Sequence, residues 1–186
     1  MPNYCEYEMK IKGSKETIKR VIDCLKQHYN YDEGRPTGKH FFRVFETFED
    51  EEEDWKNNGN GTFTAFIFGD CAWSVSCCML DGPSSYYKLL NEDKKYEDIF
   101  MGTTLKEQSK DCEIEVFSEE PGMCFSEHYL FKNGVCLIED CCELETYGYT
   151  KNGKPTKRIN WDTYDGETIY MSEHRKELEG PYTWTL

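Results

Sequence analysis

Apolar and polar side chains alternate strictly, residue by residue, in several separate stretches of this chain, and that pattern narrows the possible folds more than any other feature. Cys5, Tyr7, Met9 and Ile11 fall on one side of an extended segment and Glu6, Glu8 and Lys10 on the other. A period of two is the signature of a strand with one buried face. The same alternation returns in Cys112 to Phe117, in Cys124 to Phe131 and in Val135 to Leu144. Glu120-Pro121-Gly122 breaks the pattern between the first two of these, and Lys132-Asn133-Gly134 is a tight-turn signal between the last two.

Between the first strand and the later ones, the period changes. Ser14 is a good helix N-cap, and Ile18, Val21, Ile22, Leu25 and Tyr29 repeat at helical spacing, so a helix is expected over Lys15 to Tyr29. Asn30 to Lys39 carries Gly34, Pro36 and Gly38 and reads as a surface loop. Phe41 to Phe48 and Thr62 to Leu80 read as extended and are joined by the polar connector Glu49 to Gly61, so a wide hairpin is expected. The second stretch is too long for one strand, and Gly69-Asp70 is where a bend or bulge would divide it into Thr62 to Phe68 and Ala72 to Leu80. Trp73 lies in that second half, and the alternation there puts it in the core beneath a helix. Tyr86 to Phe100 reads as partly helical, and Thr104 with Glu107 forms a capping box for a short helix over Thr104 to Lys110.

This order of elements predicts an α+β fold, a ferredoxin-like antiparallel sheet with helices on one face, extended by extra strands. Residues 1–146 form the expected domain, and residues 147–186 a C-terminal extension packed on or beside it, with helical spacing only in Met171 to Leu178. At 186 residues the chain is long enough to bury a core without staples.

Composition excludes several classes of function. The formal net charge is -14, from 36 acidic against 22 basic residues. Direct nucleic-acid binding and binding to anionic membranes both rest on basic side chains and are disfavoured. No apolar run approaches the roughly 20 residues of a membrane span, and Met1 to Lys12 does not read as a secretory signal, so a cytoplasmic protein is expected. The ten cysteines include no Cys-x-x-Cys pair, and the neighbours Cys77/Cys78 and Cys141/Cys142 read as strand residues pointing to opposite faces. Reduced thiols acting as small hydrophobes are expected, with no bound metal. Glycine-rich nucleotide loops are absent, and no cofactor is expected.

Two groups of residues invite a functional reading. Glu46, Glu49, Asp50, Glu51, Glu52, Glu53 and Asp54 place seven carboxylates in nine residues, followed by Trp55. As an exposed loop, such a block would attract a basic partner by imitating a phosphate backbone. It lacks the glycine-centred spacing of an EF-hand loop. Alternatively, Cys124, Ser126 and His128 share one side of an alternating segment, so a cleft near Cys124 and His128 would serve a small ligand or a thiol-dependent reaction.

The opening Met1-Pro2-Asn3-Tyr4-Cys5, the segment Gly69-Asp70-Cys71-Ala72-Trp73, and Glu119-Glu120-Pro121-Gly122-Met123 followed by Tyr129-Leu130-Phe131-Lys132-Asn133-Gly134 together resemble the Api-like or YubB-like family of phage and plasmid proteins. The resemblance covers roughly residues 1–140 and implies a ferredoxin-like domain of mobile-element origin, with no catalytic residues attached. Combined with the charge, it leads to the expectation of a non-enzymatic accessory protein. Such a protein would bind a basic host protein and inhibit a nucleic-acid-handling or defence complex, in the manner of an anti-CRISPR, by charge mimicry.

Overall fold

A computed structural model describes residues 4–26, 28–30, 35–37, 39–80, 102–160 and 162–171. Strand β1 (Tyr4–Gly13) leads into helix α1 (Lys15–Leu25). Two short strands, β2 (His28–Asn30) and β3 (Arg35–Thr37), precede β4 (Val44–Glu49), β5 (Lys56–Gly59) and the long β6 (Thr62–Ala72). A π-helical turn (Ser76–Leu80), helix α2 (Leu105–Gln108) and a 3-10 turn (Ser109–Asp111) follow. The chain continues through β7 (Glu113–Glu120), β8 (Phe125–Lys132) and β9 (Val135–Glu143) to β10 (Glu145–Tyr149), β11 (Pro155–Thr156) and β12 (Ile169–Met171).

The alternating segments are strands, as expected, and they assemble into one antiparallel sheet in the order β4-β6-β1-β7-β8-β9, with β5 also paired to β6. The fold is thus broadly α+β and dominated by antiparallel sheet. Among the described residues, no helix is long and apolar enough to cross a membrane.

Paired residues in neighbouring strands share a face, so the register shows which side of the sheet is the core. Cys5, Tyr7, Met9 and Ile11 stand opposite Cys71, Gly69, Ile67 and Ala65 of β6, and Tyr7, Met9 and Ile11 stand opposite Ser118, Val116 and Ile114 of β7. With the buried side of α1, namely Ile18, Val21, Ile22 and Leu25, these form the core. Ser14 caps α1 by accepting from the Thr17 backbone at 3.1 Å, and Thr104 caps α2 by accepting from Glu107 at 3.2 Å, both as expected. Asn133 and Gly134, at φ 52° and 75°, make the tight turn between β8 and β9.

Several sequence expectations need correction. Helix α1 stops at Leu25, where the Cys24 carbonyl accepts a hydrogen bond from Phe41 at 2.8 Å. Tyr29 matches the helical spacing but belongs to β2, and the expected Asn30–Lys39 loop contains the β2-β3 pairing. Phe41 and Phe42 are buried connections ahead of β4, and extended structure begins at Val44. Strand β6 is not divided at Gly69-Asp70. The irregularity sits in its partner, where Phe45 and Glu46 of β4 bulge opposite the single residue Asp70.

Strand β6 ends at Ala72, and the expected Ala72–Leu80 strand is a bend followed by the π-helical turn, so Cys77 and Cys78 are not strand residues. Trp73 takes φ 67° in that bend and is half-buried against the edge of the core, with the Arg43 guanidinium 4.7 Å from its ring centre. The turn is held to the sheet by a buried carboxylate. Glu127 accepts from the Val75 and Ser76 backbones at 2.8 and 3.2 Å, from Ser118 Oγ at 2.7 Å and from Tyr129 Oη at 2.9 Å. A satisfied buried carboxylate of this kind overrides the local strand pattern. Tyr86–Phe100 and the helix expected after Met171 lie outside the described residues.

Beyond β9, β10 pairs with β11 and β12 in a separate three-stranded sheet. Tyr164 ties it together, accepting from the Tyr149 backbone at 2.8 Å and donating to the Glu167 carbonyl at 2.6 Å.

Trp55 is a core residue, 7% exposed, whose Nε1 donates to the Asp50 carbonyl at 3.0 Å. Trp55→Ala is therefore expected to cost about 3–5 kcal/mol in urea denaturation, the range for emptying a large aromatic site. A change under about 1 kcal/mol would contradict the burial of this ring, since exposed substitutions stay near that limit.

Candidate functional site

The acidic block is divided between strand β4 and the turn that follows it, and most of its carboxylates are exposed. Glu46 and Glu49 are part of β4, and the turn that follows is drawn inward by Trp55. The Asp54 backbone donates to the Glu51 carbonyl at 2.9 Å, closing the turn. Glu52 pairs with Lys15 at 2.9 Å and with Lys19, and these ammonium groups, Lys19 first, hold its carboxyl down at about 2. Glu49 pairs with Lys26. Two of the block's carboxylates are thus satisfied by lysines in α1 and just beyond it, while Glu51, Glu53 and Asp54 are exposed and Asp50 is half-buried. Trp55 cannot contact a partner from the core.

The strand register gathers a different set of acids. On the side of the sheet facing away from α1, Asp70 of β6 lies directly opposite Glu6 of β1 and beside the Phe45-Glu46 bulge of β4. Aromatic rings flank this trio of carboxylates. Tyr4 and Phe45 meet with centroids 5.2 Å apart at one end, and Phe48, paired with Phe68, lies at the other. Tyr4 is 62% exposed, Phe45 40% and Phe48 62%, an unusual concentration of large apolar surface at one sheet edge.

Placing like charges opposite one another across strands is destabilising. Asp70 registers this, because partial burial first, and then the neighbouring Glu46 carboxylate, raise its carboxyl above the ordinary 3.8. The patch therefore combines exposed rings with carboxylates that crowd one another. The sequence groups Glu46 with the acidic block, and the bulge also sets it beside Asp70. Alternation alone locates Glu6 on the polar side of β1, but the bulge that turns Phe45 and Glu46 toward Asp70 has no local signal.

Farther across the same face, Glu119 of β7 also lies opposite Glu6, and Glu115 is paired with basic groups. Glu115 pairs with Lys10 and accepts or shares a proton with His128 Nε2 at 3.1 Å, and these partners, His128 first, hold its carboxyl down at about 2.

The alternative site does not assemble as expected. Cys124 lies in the turn before β8 at φ 58°, exposed, with its thiol donating to the Pro121 carbonyl at 3.4 Å. His128 stacks on Phe117, centroids 4.0 Å apart, and leans toward Glu115, whose strand partner Leu130 is two residues farther from Cys124. Ser126 and His128 do share a face, but Ser126 contacts Cys142 at 3.1 Å.

All ten cysteines are free thiols, with Cys5, Cys24, Cys71, Cys78 and Cys112 buried. Contact with Cys5 and Cys78, together with burial, pushes the Cys71 thiol well up, which disfavours its reactive thiolate. Among the described residues, no three His, Cys, Asp or Glu side chains converge in a way that could hold a metal ion.

Asp70→Asn should stabilise the protein at neutral pH by about 0.2–1 kcal/mol, the usual scale of a cross-strand charge pair. Because folding raises the Asp70 pKa, the ionised form carries the penalty, and it develops as pH rises through the folded value. Below the unfolded value both states are protonated, so the advantage of asparagine should vanish in acid. Denaturation at several pH values checks this, and a destabilised variant at neutral pH would show that Asp70 is a structural partner instead.

No family model matches the chain, and no match was found among the curated proteins or the solved structures.

Proposed function

We propose that this protein is a non-enzymatic, acidic binding module that engages a basic surface of a partner protein through the outer end of its sheet. The observation that carries this reading is the gathering of Glu6, Glu46 and Asp70 between the exposed rings of Tyr4, Phe45 and Phe48. Exposed aromatics supply affinity when they are desolvated, and the carboxylates supply attraction at a distance and orientation on contact. Glu51, Glu53 and Asp54, exposed on the turn that leaves β4, extend the negative field along the same edge. With a net charge of -14, approach to nucleic acid or to an anionic membrane is unfavourable, which leaves a basic protein as the partner.

The ferredoxin-like reading of the domain belongs to the same proposal. It is supported by the order β7-β1-β6-β4, with every neighbouring pair antiparallel and with α1 following β1 in the chain. The resemblance to phage and plasmid proteins supports a host partner, and a nucleic-acid-handling or defence complex is the class whose basic groove this acidic edge would occupy.

Affinity capture from a bacterial lysate tests the reading with the native chain and a Glu46→Gln/Asp70→Asn/Phe48→Ser variant. All three positions lie on the sheet's outer face, so the variant should remain folded. The native chain should retain a stoichiometric basic protein at low salt and release it as ionic strength rises, and the variant should lose it. Equal retention by both chains, with the same salt dependence, would contradict the proposed site.

A further inference from the structure

We infer that the Tyr4–Phe45 ring pair and the adjoining Glu46 and Asp70 carboxylates form a seat selective for arginine over lysine side chains of the partner. This rests on the proposed binding of a basic protein and specifies the chemistry that protein must present. The rings of Tyr4 and Phe45 are 5.2 Å apart and tilted by 56°, so they offer two differently inclined faces at the rim of the carboxylate trio. Both are substantially exposed, and Asp70 lies one strand position farther along, between Glu6 and the bulge that carries Glu46.

A guanidinium is planar and weakly hydrated, so it can lie on a ring while its N–H fork meets a carboxylate. An ammonium is also drawn to a ring, as Lys15 is to Phe63 at 4.9 Å, but as a compact, strongly hydrated point charge it cannot lie flat on the ring and fork to a carboxylate at once. The raised pKa of Asp70, with burial as its first cause, marks a carboxylate already partly withdrawn from water, the condition under which a fork-shaped donor gains most. The same edge of the fold shows the contact internally, where Arg43 stacks on Trp73 at 4.7 Å.

A second copy of the chain is a poor occupant. Each copy carries a net charge of -14, and a symmetric contact would bring the Glu6, Glu46 and Asp70 carboxylates of both copies together. Charge complementarity therefore favours a cationic segment of another protein.

Two short peptides of equal length and charge, one alternating arginine with threonine and the other lysine with threonine, provide the test by fluorescence anisotropy against the full chain. The arginine peptide should bind about 5- to 10-fold more tightly, the scale of one stacked, forked contact. Tyr4→Ala/Phe45→Ala should bring the affinities of the two peptides together, with the larger loss on the arginine peptide. Both residues are exposed, so circular dichroism and thermal melting should confirm that this variant is folded. Equal affinities for the two peptides, or an arginine preference that survives loss of both rings, would overturn the inference. If the peptides bind equally but lose affinity on Glu46→Gln/Asp70→Asn, the basic-partner reading stands without arginine selectivity. Absence of binding by either peptide would overturn both.

Discussion

The arrangement of the sheet edge depends on one close approach, that of Tyr7 to the backbone of Gly69. Tyr7 is buried, its ring lies over the residue opposite it in β6, and its hydroxyl reaches Thr47 Oγ1 at 3.2 Å. A Cβ on Gly69 would come within 2.6 Å of the Tyr7 hydroxyl and would strike the Glu46 carbonyl. The missing side chain is thus the space into which Tyr7 and the β4 backbone settle, a known use of glycine within strands. With Thr47 fixed by Tyr7 and Val44 in the core, the two residues between them must fit opposite Asp70 alone. The result is the bulge, and the bulge places Phe45 and Glu46 beside Asp70.

From that constraint the charge pattern of the molecule divides into a structural part and an available part. Glu52 is bound to Lys15 and Lys19 of α1 and Glu49 to Lys26 just beyond it, and these pairs help fasten β4 and its turn to the helix. Such exposed pairs contribute modestly one by one. Glu115 is likewise satisfied by Lys10 and His128. Glu6, Asp70 and Glu46 instead form a row of like charges next to exposed aromatic rings, an arrangement that works against the isolated fold and on which the proposed binding rests. The location of the acids in three dimensions, more than their density along the chain, is what points to a binding surface.

The strands were largely legible in the sequence because their information is local. Period-two alternation located β1, β7, β8 and β9, Asn133-Gly134 located the hairpin, and Ser14 and Thr104 located two helix starts. What was not legible depends on contacts between distant residues. The π-helical turn after Ala72 is set by Glu127, about fifty positions away in the chain, and Gly69 looked like a break because its role is visible only once Tyr7 lies over it. The layout of the acidic block is a second case. Trp55 at its end reads as an interface residue in sequence, yet its burial turns the block into a fastened turn. Cys124 and His128 share a period but not a strand, because the Pro121–Met123 turn extends through Cys124.

The central claim, that cationic partners seat on the β4 edge around Asp70, is tested most directly by mapping amide chemical-shift changes in the 15N-labelled full chain during titration with the arginine-threonine peptide. The account predicts saturable changes clustered at Tyr4, Glu6, Phe45, Glu46, Phe48 and Asp70, with weaker ones at Glu51, Glu53 and Asp54. Changes centred on the Glu51–Asp54 turn alone, or on β9 at the opposite edge of the sheet, would contradict it.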